Sequence, residues 1–196
     1  MHHLYHTPGF ILASSPFGEA NLSFRILTRD LGLIGASAQG VRFLKSKLRY
    51  TVHNFFYGEL SLVRGRERWR VTGVSKSTDL YCEFRDRPET LLVFARVFSL
   101  LLRLLSGEEK NEELFRHVEE AVLFARAKKL SAKLSRDFEC ILVLRILWSL
   151  GYLGSSPDTA VFVESPFWSD ELILKMETLT PKILAAINRS LKESQL

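Results

Sequence analysis

Residues 41–50, VRFLKSKLRY, carry Arg42, Lys45, Lys47 and Arg49 without a carboxylate, and Phe43 and Tyr50 are interleaved with them. Cations at this density can neutralise phosphates, and aromatic rings can stack on bases. The same composition also fits a surface helix or loop with Phe43 and Leu48 packed inward. A second cluster, Arg64, Arg66, Arg68 and Arg70, follows on what reads as a hairpin, with Arg25 and Arg29 as candidate neighbours. Net charge is +5, and its distribution matters more than its total. Residues 1–80 hold 11 Lys and Arg against 5 Asp and Glu, whereas residues 81–196 hold 16 against 17. A positive field confined to one region suits a polyanion, most simply nucleic acid, or else a basic surface kept for solubility.

Signatures of catalysis are missing. The sequence contains no Walker loop, no Gly-x-Gly-x-x-Gly, no Gly-x-Ser-x-Gly elbow and no His-Glu-x-x-His pair. His2, His3 and His6 form an adventitious metal site at best, and His53 and His117 read as isolated surface or boundary residues. The carboxylate pairs Glu108-Glu109, Glu112-Glu113 and Glu119-Glu120 fall near helix starts, where the macrodipole favours them. Cys82 and Cys140 are 58 positions apart, which excludes a disulfide scaffold and a Cys₄ or Cys₃His zinc site; both read as small core residues. The expectation is a binding protein, not an enzyme, with no cofactor and no metal.

These residues need elements to hold them. Leu22, Phe24 and Ile26 alternate with Ser23 and Arg25 as one strand, and Arg29 to Gly32 turns into another over residues 33–39. A strand over 5–13 precedes them, with residues 14–18 as the connection. Residues 55–63 and 68–76 read as two more strands, with Trp69 and Val71 on one side and Arg68, Arg70 and Thr72 on the other. Five short strands fit an OB-fold or an SH3-like barrel. After about Ser77 the pattern becomes helical, which places a boundary between residues 1–78 and 79–196. Pro88 opens a helix running to Ser106, apolar nearly all round and so expected at the centre of a bundle. Asn111 caps a second helix over 112–129. Ser135 caps a third that Gly151 stops, and Thr180-Pro181 opens the last. Residues 154–169, with Pro157 and Pro166, are the least regular. The longest apolar run, residues 97–105, is broken by Arg103 and is shorter than the roughly 18–20 residues a bilayer span needs. With no readable signal peptide, the expectation is a cytoplasmic protein without a membrane partner.

Several of these stretches resemble one family. Thr7-Pro8-Gly9-Phe10-Ile11-Leu12 and Pro16-Phe17-Gly18-Glu19 resemble the opening of the bacterial DNA repair and recombination protein RecO. Thr28 with Gly32, then Ala38-Gln39-Gly40-Val41-Arg42 and Lys45-Ser46, are similar to that family's next motifs, and Leu150-Gly151-Tyr152 to its "L-G-Y". The resemblance covers roughly residues 5–155. It implies an α+β chain, an N-terminal five-stranded OB-fold barrel followed by an all-α helical domain. It further implies a non-enzymatic recombination mediator, nucleoid-associated, that binds single- and double-stranded DNA, anneals strands and helps load recombinase. The implied partners are RecR and the acidic C-terminal tail of single-stranded-DNA-binding protein. Many members carry a Cys₄ zinc motif after "L-G-Y"; here residues 154–159 contain no cysteine, and the chain is short for the family. The alternative is a general OB-fold nucleic-acid module with a helical interaction domain and no annealing activity; an adaptor for an acidic protein is a further rival. The expected DNA-binding residues are Arg25, Arg42, Lys45, Lys47, Arg49, Arg66, Arg68 and Arg70. A basic-rimmed apolar groove for the tail is expected near Arg96, Arg103, Arg126 and Lys129, among cations that also include Lys128 and Lys133.

Overall fold

The structure, a computed structural model, describes residues 3–154, 156–165 and 167–193. His2, Ser155 and Pro166 lie outside the described residues. Strands β1 (Leu4–Phe17), β2 (Asn21–Thr28), β3 (Gly32–Ala38), β4 (Phe56–Arg64) and β5 (Trp69–Asp79) close into a barrel in the order β1-β2-β3-β5-β4. Every neighbouring pair is antiparallel except β3 and β5, which run parallel. This is the Greek-key closure of the OB-fold, and it settles the choice that periodicity left open.

Alternation along the strands sorts the side chains. Ile11, Phe24, Ile26, Phe56, Leu60, Leu62, Trp69 and Val71 fill the interior, while Arg25, Arg68, Arg70 and Thr72 face out. Strand β1 is longer than the sequence suggested. Residues 14–17 stay paired to β2, Ser14 with Phe24 through Phe17 with Asn21. Pairing of β1 with β4 ends at Phe10, so one edge is open there and Pro16 costs no ladder bond. At the β2–β3 turn the buried Thr28 hydroxyl donates to Gly32 O at 2.9 Å and accepts from Leu31 N at 3.1 Å. This bonding accounts for the Thr-x₃-Gly spacing.

The chain forms two compact units. One comprises the described residues through Arg85 together with Leu105–Glu112; the other comprises Asp86–Leu104 and the described residues from Glu113 onward. The first extends past residue 78 because β5 leads directly into α1 (Leu80–Phe84), whose N-terminus Asp79 caps by accepting from Tyr81 N and Cys82 N. Leu80 and Phe84 of α1 are buried. The second unit is built from α2 (Pro88–Leu104), α3 (Glu112–Ala127), α4 (Ala132–Ser149), α5 (Ala160–Val163) and α6 (Asp170–Glu193). Among the described residues, no helix is long and apolar enough to cross a membrane.

Several helical expectations need correction. The central helix is α4, not α2. Helix α2 buries one face, Val93, Phe94, Val97, Phe98 and Leu101, and leaves Leu92 51% exposed. Helix α4 is buried through Phe138, Ile141, Leu142, Leu144, Ile146 and Leu147, and even its Ser135, Asp137 and Arg145 are inside. Its N-cap is Ser131, whose Oγ accepts from Leu134 N at 3.3 Å, so Ser135 is one turn into the helix. Gly151, at φ +76°, ends it as expected. Helix α6 begins at Asp170 and runs through Pro181. Leu172, Ile173 and Met176 before the proline and Ile183 and Ile187 after it are all buried, and this packing carries the helix past the missing donor. The Thr180 hydroxyl, 2.7 Å from Asp137 Oδ1 and 2.9 Å from Met176 O, anchors the same turn. Cys140 is buried but Cys82 is exposed. His117, expected near the surface, is 2% exposed.

Candidate nucleic-acid interface

Residues 39–54 connect β3 to β4 as a chain of tight turns, including Phe43 N to Gly40 O at 3.1 Å and Ser46 N to Phe43 O at 3.0 Å. Val41 and Val52 enter the barrel core and Leu48 packs against it, so both ends of the segment are fixed. Between these anchors most of the remaining side chains face solvent. Arg42, Lys45, Lys47 and Arg49 are all exposed, and with them Phe43 at 61%, Leu44 at 81% and Tyr50 at 75%. Of the inward pair expected from sequence, Leu48 packs in and Phe43 does not. Arg49 lies over the Tyr50 ring, 5.7 Å from its centre.

The start of this segment is joined to the β1–β2 turn. Gly40 N donates to Asn21 Oδ1 at 2.8 Å, Arg42 N to Ala20 O at 3.0 Å, and Arg42 Nη1 to Glu19 O at 3.2 Å. The β4–β5 loop reaches the same corner, because the Arg68 guanidinium sits 4.9 Å from the centre of the Phe17 ring. Two loops that OB-folds use for nucleic acid, β1–β2 and β4–β5, thus meet the cationic segment at one edge. Beside them lies the outer face of β2, β3 and β5. Ser23 pairs with Ser37 and Ser37 with Arg70, while Arg25 is opposite Gly35. A side chain at Gly35 would meet nothing within 4 Å, so this face is a shallow platform of small residues flanked by Arg25 and Arg70. Arg66 is exposed in the β4–β5 loop.

Among the described residues, no carboxylate pairs with Arg25, Lys45, Lys47, Arg49, Arg66, Arg68 or Arg70. Arg64 differs. Its Nη1 is 2.7 Å from both carboxylate oxygens of Glu108, and Trp69 Nε1 donates to the same carboxylate at 3.2 Å. Sequence reasoning missed Glu108 as a partner of Arg64, and it missed Phe17 altogether. The "P-[YF]-G-E" motif was the only signal for Phe17.

The second unit contains a groove of about 600 Å³ between α2, α4 and α6. Leu100, Val143, Leu184, Ile187 and Leu191 supply apolar wall, and Arg96, Arg103 and Arg136 supply charge. Arg96 is bound to Glu139 by two short bonds, 2.6 and 2.5 Å, and this pairing raises its pKa. Burial pushes the Cys140 thiol in the wall up to about 12, so it stays neutral. Of the cations expected here, Arg96 and Arg103 line the groove; Arg126 and Lys129 do not, and Arg136 was not foreseen. Lys128 and Lys133 instead pair with Asp170 and Glu177 of α6. His53 faces Asp79 at 3.5 Å. Among the described residues, no three His, Cys, Asp or Glu side chains come together to hold a metal.

A closed OB-fold barrel with an exposed cationic and aromatic edge, followed by a helical unit, defines the kind of protein this is. Residues 1–76 match the family model described as recombination protein O N terminal. The DNA repair protein RecO of Alkaliphilus metalliredigens is 28% identical over 79% of this chain and 60% of the relative. The protein of the same name from Thermodesulfovibrio yellowstonii is 26% identical over 76% of this chain and 58% of the relative. That from Dehalococcoides mccartyi is 33% identical over 58% of this chain and 44% of the relative. The chain is thus similar to DNA repair proteins named RecO over most of its length, and its first 76 residues match the N-terminal model of that family. It spans at most 60% of the length of these three relatives.

Proposed function

We propose that the chain is a non-enzymatic recombination mediator that binds single- and double-stranded DNA, promotes annealing and assists recombinase loading at the nucleoid. The observation that carries this reading is the barrel edge, where Arg42, Lys45, Lys47, Arg49, Arg66 and Arg68 stand exposed beside Phe43 and Tyr50. Two strands repel through their phosphates. A surface that screens both lets base pairing proceed without chemistry at any side chain. The exposed rings add stacking that is indifferent to sequence.

If about five phosphates of a single strand are neutralised, log K falls with log salt at a slope near −3.5, from about −0.7 per phosphate. Glutamate at Lys45, Lys47 and Arg49 together leaves the Arg42 anchor in place and flattens that slope. Affinity then drops for every sequence alike, because phosphate contacts position the protein and read no bases. The test is annealing of two labelled complementary oligonucleotides, with and without single-stranded-DNA-binding protein. Binding without annealing would favour a plain OB-fold module. A triple variant that folds and binds as the parent does would remove the assigned surface.

The groove supports a second element of the same reading. Its apolar wall, with Arg103 and Arg136 beside the paired Arg96 and Glu139, suits an acidic, hydrophobic peptide, and we assign it to the C-terminal tail of single-stranded-DNA-binding protein. RecR is proposed as a further partner on family grounds alone.

A further inference from the structure

Arg64 stands at the end of β4, beside the loop that carries Arg66 and Arg68, yet a carboxylate already holds it. The contact is built, not incidental. The Arg64 guanidinium lies over the Trp69 ring, 4.9 Å from its centre, which holds it beside the indole. Trp69 is 4% exposed and part of the barrel core, so its indole N–H is a rigid second donor. Glu108 comes from residues 105–112, which belong to the barrel unit. That segment lies against Gly32, where an added Cβ would be only 2.2 Å from Glu109 O. The backbone therefore delivers the Glu108 carboxylate to two converging donors.

A guanidinium N–H and an indole N–H that converge on a carboxylate also fit the oxygens of a phosphate, since charge-assisted donors of this kind serve both anions. We propose that Arg64 and the Trp69 indole N–H form a phosphate subsite of the nucleic-acid interface, occupied by Glu108 in the free protein and vacated when a strand binds. The subsite extends the track of Arg66 and Arg68 by one phosphate. Displacement is feasible because the pair is about half exposed, at 47% and 42%, and exposed pairs are weak. The proposal rests on the DNA-binding reading above.

The experiment measures binding of a fluorescein-labelled oligothymidylate to the full chain by anisotropy, across a salt series. Glu108→Gln removes the competing anion and should tighten binding about two- to fivefold beyond Glu109→Gln, which removes an equal charge from a neighbour. In an Arg64→Gln background that gain should vanish, since a contact effect needs its partner and a general charge effect does not. Arg64→Gln alone should weaken binding and flatten the salt slope by about 0.7. Glu108→Asp keeps the charge but shortens the reach, and should give part of the gain; it also serves if Glu108→Gln folds poorly. A gain no larger than that of Glu109→Gln, a gain that persists without Arg64, or no effect of Arg64→Gln in the parent would overturn the subsite. A parent that does not bind the oligonucleotide would overturn the DNA-binding reading itself.

Discussion

Two polar side chains inside the helical unit, His117 and Arg145, set much of its chemistry. His117 Nε2 is 3.9 Å from Glu113 Oε1, yet neither ring nitrogen has a hydrogen bond. Burial, with Arg145 and Arg116 nearby, pushes its pKa down from 6.5 to about 4. The unfolded chain therefore binds a proton in a range where the folded one refuses it. Stability is complete above the unfolded value and falls as pH drops through the window between the two, by roughly 3 kcal/mol from this residue. His117→Leu should remove that part of the acid sensitivity, read as a smaller loss of urea stability between about pH 7 and about pH 4.5 than the parent shows. Equal losses would mean that His117 is hydrated. Arg145 works differently: its Nε donates to Phe162 O and its Nη2 to Ser165 O, both at 2.8 Å, and Trp168 covers the guanidinium at 4.5 Å. Burial pushes its pKa down to about 10, still well above neutrality. Arg145→Met strands two carbonyls and should cost on the order of 3 kcal/mol in chemical denaturation, whereas Arg136→Met in the open groove should cost little.

At the scale of elements, local rules succeeded where one face of an element decides its structure and failed where distant partners do. Alternation placed Phe24, Ile26, Trp69 and Val71 inside the barrel because a strand's period of two leaves no other choice. The cation clusters at 42–49 and 64–70 were equally legible, since their charge keeps them exposed. Helix α4 was misread because its polar residues look like solvent-facing ones, whereas the carbonyls of Phe162 and Ser165 make the burial of Arg145 tolerable and the Thr180 hydroxyl that of Asp137. Pro181 read as a helix start for the same reason: the packing that carries α6 through it is tertiary. The contact between Glu108 and Arg64 spans 44 positions and leaves no local trace. Gly32 links these levels. At φ +69° and pressed against Glu109, it admits no side chain. Gly32→Ala should lower stability by about 2 kcal/mol or more and release residues 105–112, seen as faster amide exchange confined to that segment and the β2–β3 turn. A variant as stable as the parent would mean that the segment relocates freely.

Over the whole molecule, charge and apolar surface are divided between the two units. The net positive charge lies in residues 1–80, while the groove is in a helical unit whose cations are balanced by its acids. Long-range attraction to DNA should therefore depend on the barrel, and tail capture on a few local arginines acting at short range. Charge reversal at Lys45, Lys47 and Arg49 should abolish tight binding of an oligonucleotide while leaving anisotropy with an acidic, hydrophobic tail peptide unchanged. Reversal at Arg103 and Arg136 should do the opposite. On naked complementary strands, annealing then fails only in the first variant. On strands coated by single-stranded-DNA-binding protein failure is expected in both, since under the proposed function the tail contact precedes the action of the barrel. If the Arg103 and Arg136 variant anneals coated strands as fast as the parent, the groove has no part in the reaction, and the barrel alone must compete the coating protein off the DNA.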